Sequence, residues 1–240
     1  LTHAADNQIC DSSYDSRNTW NGLSDFGRKV VREMNKIGMM IDVSHCTDKT
    51  FYDILKITNK PLVATHSSPR KFTPNFERNM SDNMIKDLAS NNGLIMLNFG
   101  SGFISEQSNK SFGDINSKVE KYKIENNLKD SDKKILKYKD DLINTVKPFA
   151  SINDFVDTID HVKELVGIDH IGLGSDFEGL GNTLPYDLKD ASTYPNILYK
   201  LLEREYSQIE IKKICSDNLF RVWNANLQNR QILSLIHISE

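Results

Sequence analysis

With 240 residues, 38% of them apolar, the chain can bury one large core or two small ones. Its net charge of −3 gives no basic surplus for nucleic acid, and no run approaches the roughly 18 apolar residues of a membrane span. Three cysteines (Cys10, Cys46 and Cys215) are odd in number and irregular in spacing, which excludes a disulfide framework and a zinc ribbon and predicts free thiols.

The chain opens on Leu1-Thr2-His3, which reads as the end of a strand begun before residue 1, so the compartment is not legible. Ser24 predicts a helix N-cap, ahead of Phe26, Val30, Val31 and Met34 at helical spacing; Gly38 ends that helix. Met39-Met40-Ile41 begin a predicted buried strand running to His45. Thr47 caps a second helix whose Phe51, Ile54 and Leu55 face inward, and a strand follows over 61–66. A turn-rich loop at 69–80, a helix at 81–91 and the strand GLIMLNF at 93–99 come next. Residues 104–150 break this rhythm. They are dense in Lys, Asp and Glu and predict one or two solvated helices, a charged surface excursion with a lid over the mouth as the functional version. A helix at 153–166, stopped by Gly167, leads to the strand HIGLGSD at 170–176, and two helices near 194–205 and 207–222 close the pattern. A tail is expected from 224 to 240. Its end, LSLIHISE, continues no helical pattern, and about residues 230–240 read as a non-native scar.

Short continuous apolar strands alternating with helices imply parallel βαβ units. The predicted fold class is α/β: the C-terminal portion, five-eighths or so, of a (β/α)8 TIM-like barrel, which in full needs about 250 residues, here with a charged helical insertion. An open doubly wound sheet is the alternative, although no glycine-rich phosphate loop follows any strand. A partial barrel leaves a strand edge unpaired, so poor solubility or oligomerisation is expected of it, with a homodimer as one form.

In a parallel barrel all strands end on the face that carries the active site. His3, His45, His66, Asn98 and Asp176 stand at those ends. His45 and His66, on consecutive strands, are candidate ligands of a Zn²⁺ ion, which neutral imidazoles bind at about 2.0–2.1 Å. A third ligand must come from elsewhere, since the Cys46 side chain points away if the pleat continues. His161 is mid-helix and reads as structural. His170 lies at the opposite end of its strand and is not expected to act, and Glu178 has at most a supporting role.

GLSDFGRKVVREMNKIGMMIDVSHCTDKTFYDIL, PLVATHSSPRKF, ERNMSDNMI and DHVKELVGIDHIGLGSDFEG together resemble the membrane dipeptidase family of zinc hydrolases over about residues 1–223, the insertion apart. Three motifs carry the likeness: histidines 21 residues apart at strand ends, Arg78-Asn79 before a helix, and the run Gly172 to Gly179. The resemblance implies a barrel with two zinc ions that hydrolyses the peptide bond of dipeptides through a metal-bridged hydroxide. His45 and His66 would ligate one zinc. The other three ligands of the family site have no counterpart from Leu1 onward, which leaves this stretch short of a complete site. By the same likeness His3 contacts the scissile carbonyl side of the substrate, Arg78 holds its terminal carboxylate, and Asp176 transfers a proton. A planar guanidinium suits a carboxylate, and a carboxylate beside the leaving amine can shuttle a proton. Another barrel amidohydrolase, or a catalytically silent binding chain, is the competing expectation.

Overall fold

Short apolar runs pair in parallel to make the central sheet. The computed structural model describes residues 1–228 and Arg230. β1 (Val63–Ser67), β2 (Leu94–Asn98) and β3 (Ile171–Gly174) lie side by side in that order. Val63 pairs with Leu94, and Ile95 to Asn98 pair with Ile171 to Gly174. The register slips between Ala64 and Ser67, a bulge at Thr65-His66 of the kind that re-aims side chains beside functional sites.

The strand expected over 39–45 forms only a single parallel bridge, Asp42 to Val63. Main-chain bonds run from Val43 N–H to Val63 and from Val63 N–H to Ile41. Beyond them side chains intercept the ladder. Asp42 Oδ1 accepts the Thr65 amide at 3.0 Å, and Ser44 Oγ accepts the His66 amide at 3.1 Å. Side-chain oxygens thus replace the carbonyls that a continuing strand would present. The fold class is α/β as expected. The described strands make an open three-stranded sheet flanked by that edge segment, and no closed barrel is formed among the described residues.

Helices α1 (Asp25–Ile37), α2 (Asp48–Leu55), α3 (Asp82–Ser90) and α7 (Ile152–Val166) start at caps that the sequence supplies: Ser24, Thr47, Ser81 and Ser151 each accept a backbone N–H of the first turn. Gly38 closes α1 in the left-handed conformation. In α7, Phe155, Val156, Ile159 and Val162 are completely buried in the main core, with Leu88 of α3 and Ile95 and Leu97 of β2. Phe99, just past β2, packs its ring 4.5 Å from Phe155, 5.6 Å from Tyr194 and 5.7 Å from Phe177.

The charged segment folds as a short helix, α4 (Ser101–Ile104), and two long ones, α5 (Glu106–Glu125) and α6 (Lys133–Val146). It is not wholly solvated, since Ile115, Ile135 and Ile143 are buried. α8 (Phe177–Leu180) follows β3. After α9 (Tyr194–Glu203) and α10 (Gln208–Lys212), a π-helical turn at Lys213–Asp217 leads into α11 (Asn218–Leu227). α11 lies across the N-terminal ends of the strands: Arg221 donates to the carbonyls of Asn92 and Asp169, and Asn226 to that of Pro61. α11 therefore continues past the tail boundary expected at 223, and Asn226 is fully buried. Residues 231–240, on which the reading of a non-native scar falls, lie outside the described residues. Among the described residues no helix is long and apolar enough to cross a membrane.

Candidate active site

The bonds that stop the edge strand also draw two imidazoles together. His45 sits in the left-handed backbone region, φ 69°, held by a hydrogen bond from Ser13 N–H to its carbonyl at 2.8 Å. That conformation is uncommon for a histidine and costs about 1–3 kcal/mol unless the surroundings impose it. His66 stands on the bulge of β1. The outcome is a His45 Nε2 to His66 Nε2 separation of 2.9 Å, with ring centroids 5.0 Å apart. The His3 ring lies 4.5 Å from that of His45, and the terminal stretch is pinned by Ser12 Oγ donating to the His3 carbonyl at 2.6 Å. Three histidines from three segments thus share one rim.

The rim favours neutral rings. Burial, then the positive charge of Arg78, pushes His45 down to about 3. Burial and Arg78 lower His66 as well. Arg78 is 3% exposed and donates to Ser67 Oγ and to the His66 carbonyl, both at 2.8 Å. Its Nε is buried without a partner. An arginine stays charged when buried, so uncommitted donors of its fork await an acceptor. Burial lowers its pKa, against the opposing pull of Tyr14 and Asp176.

Asp176 follows β3 and, like His45, takes the left-handed conformation, φ 55°. Its Oδ2 accepts from Asn98 Nδ2 at 3.0 Å, and Asn98 in turn accepts the Gly100 amide. Two of the candidate residues therefore stand on backbone that most side chains avoid.

The other two histidines among the described residues fall elsewhere. His161 Nε2 pairs with Asp82 at 2.9 Å, and His170 Nδ1 donates to the Gly93 carbonyl, at the opposite end of the strands. Glu178 is exposed. Cys46 is buried beside Cys10, and all three cysteines are free thiols.

Sequence reading passes over Asp42, Thr65 and Tyr14. Asp42 left a signal, a charge inside an apolar run. Tyr14, whose ring is 5.7 Å from that of His45, left none, because its loop carries no periodicity. Tyr14 also lines a cavity of about 590 Å³ with Phe76, Phe103 and, from α5 and α6, Asn109, Phe112 and Lys139. The charged segment thus helps to wall a space beside the rim.

Comparison with known proteins bears on the fold and the family. The chain is 33% identical over 222 residues to the dipeptidase tcpJ of Claviceps purpurea (strain 20.1), a match covering 92% of this chain and 43% of that protein. A solved structure from Pseudomonas aeruginosa, described as the probable dipeptidase PvdM, superposes with a TM-score of 0.78 at 24% identity, over 95% of this chain and 62% of that one. A metallo peptidase from Rhodobacter sphaeroides, solved with a phosphinate mimic of the dipeptide L-Ala-D-Ala, gives 0.65 at 24% identity, over 85% of this chain and 47% of that one. At those identities the two structures establish the shared fold. The chain spans less than half the length of its curated relative. The model of the membrane dipeptidase family, peptidase family M19, matches residues 1–234, and by that match the chain belongs to this family.

Proposed function

We propose that this chain carries part of the site of a metal-dependent dipeptidase, in which His45 and His66 bind one zinc ion. The observation that carries the reading is the convergence of their Nε2 atoms to 2.9 Å. Two ring nitrogens on one cation about 2.0–2.1 Å from each must come nearly this close. The donor set fits zinc, which takes neutral imidazole. It is a partial set: among the described residues no group of three or more His, Cys, Asp or Glu side chains could hold a metal. When bound, zinc would polarise the scissile carbonyl and supply a nucleophile at neutral pH.

The chain's own residues account for binding and proton transfer. Arg78 holds the free carboxylate of the dipeptide with the N–H groups of its terminal nitrogens left over from the bonds to Ser67 and His66. His3 contacts the carbonyl side of the scissile bond. Asp176 takes a proton from the attacking water and hands it to the departing amine, with an oxygen that Asn98 does not engage. Phe112 and Lys139, on the inserted helices, line the cavity that would receive one substrate side chain.

Hydrolysis of free and C-terminally amidated dipeptides by a zinc-loaded protein in which the remaining metal ligands complete the site tests this reading. Amidation should raise KM by more than about tenfold, a loss of roughly 1.4 kcal/mol in binding. In Arg78→Met the two substrates should behave alike. If Arg78→Met raises KM for the free dipeptide by less than about tenfold, the carboxylate-holding role is lost.

A further inference from the structure

The proton on the Thr65 hydroxyl can be placed by counting. Thr65 Oγ1 lies 2.6 Å from Asp42 Oδ2 and 2.7 Å from His66 Nδ1. Asp42 Oδ1 also accepts the amides of Ser44 at 2.9 Å and Thr65 at 3.0 Å. Two backbone N–H donors on Oδ1 favour the ionised carboxylate, which leaves Oδ2 an acceptor as well. Burial pushes this carboxyl up, but those same hydrogen bonds outweigh it and hold it below the usual range. The single hydroxyl proton therefore points to Asp42. Thr65 Oγ1 can then only accept from His66, so the ring hydrogen of His66 is on Nδ1.

We propose that Asp42 and Thr65 are positioning residues, which through the chain Asp42–Thr65–His66 hold His66 as its Nδ1–H tautomer with a bare Nε2 turned to the rim. An outer partner on the far ring nitrogen fixes both the tautomer and the ring angle of a ligating histidine. His45 has no such partner, since its Nδ1 is buried and unpaired. With His66 Nε2 bare, the 2.9 Å contact needs its hydrogen on His45 Nε2. His45 Nδ1 is then also bare, and an unpaired acceptor is easier to bury than an unpaired N–H. The two rings are thus unequal. His66 is ready to ligate, whereas His45 must move its hydrogen from Nε2 to Nδ1 first.

The tautomer stands on this chain's hydrogen bonds alone, and its consequence for zinc rests on the reading above. Long-range ¹H–¹⁵N correlation spectra of the ¹⁵N-histidine-labelled chain near pH 7.5 read the tautomer directly, with His66→Gln assigning the signals. His66 should show hydrogen on Nδ1. Thr65→Val, which keeps the shape and removes the hydroxyl, should shift it toward Nε2–H, and Thr65→Ser should restore it. Zinc affinity should fall about 10–100-fold in Thr65→Val and recover in Thr65→Ser. Hydrogen on Nε2 of His66 in the unsubstituted chain, or a Thr65→Val spectrum unchanged from it, overturns the proposal. A chain that shows the Nδ1–H pattern but takes up no zinc supports the relay and refutes the metal reading.

Discussion

Replacing Phe99 by alanine should lower the stability of the chain by about 3–5 kcal/mol, the range for removing a fully buried ring. Phe99 is 0% exposed and meets three aromatic rings, those of Phe155, Phe177 and Tyr194. They come from α7, α8 and α9, so no single element can shift to fill the space. Domains of this kind are stable by only about 5–15 kcal/mol, so one such loss is a large part of the whole. In urea the unfolding midpoint should fall while the slope stays constant. A loss under about 1 kcal/mol would mean that the packing around β2 relaxes freely. The position also bears on the rim. Asn98 precedes Phe99 and holds Asp176, while Phe177 follows Asp176 directly. A softened aromatic cluster should therefore loosen Asp176 at temperatures where the fold survives.

In a protein that completes the metal site, Asp176→Asn should reduce kcat for dipeptide hydrolysis about 10²–10⁴-fold, the range for losing a positioned proton-transfer group. The substitution suits its place. Asparagine tolerates the left-handed backbone at φ 55°, and its amide oxygen can keep the bond from Asn98. Secondary structure and zinc content should stay as they are, which separates lost chemistry from lost folding. Activity within about fivefold of the parent would show that Asp176 is held for structure and not for proton transfer.

Much of the fold was legible because local rules and tertiary structure agree. Ser24 and Thr47 cap the helices they precede, Gly38 ends α1, and the apolar runs at 62–64, 94–97 and 171–173 are buried, with only Met96 and Leu173 partly exposed. The strand expected at 39–45 failed for a reason outside periodicity. Its apolar run is intact, but Asp42 and Ser44 compete with the backbone for the amides of Thr65 and His66. That competition turns an edge strand into a support for His45 and His66. The candidate site was legible as strand-end polarity, which needs only the parallel direction of the strands. The cavity beside Tyr14 was not, because its walls come from a loop near residue 14, a turn near residue 76 and an insertion whose composition reads as a solvated surface. The extent of closure was not legible either, since pattern counts strands and says nothing of which of them pair.

His45 and His66 sharing one cation is the arrangement from which the other roles at the rim follow. Calorimetric titration of Zn²⁺ into the chain near pH 7.5, beside His45→Ala and His66→Ala, tests it most directly. The expected result is weak uptake of one ion per chain, reduced at least about tenfold by either substitution alone, because each removes half of the donor pair. Unchanged zinc binding in either folded variant would contradict it.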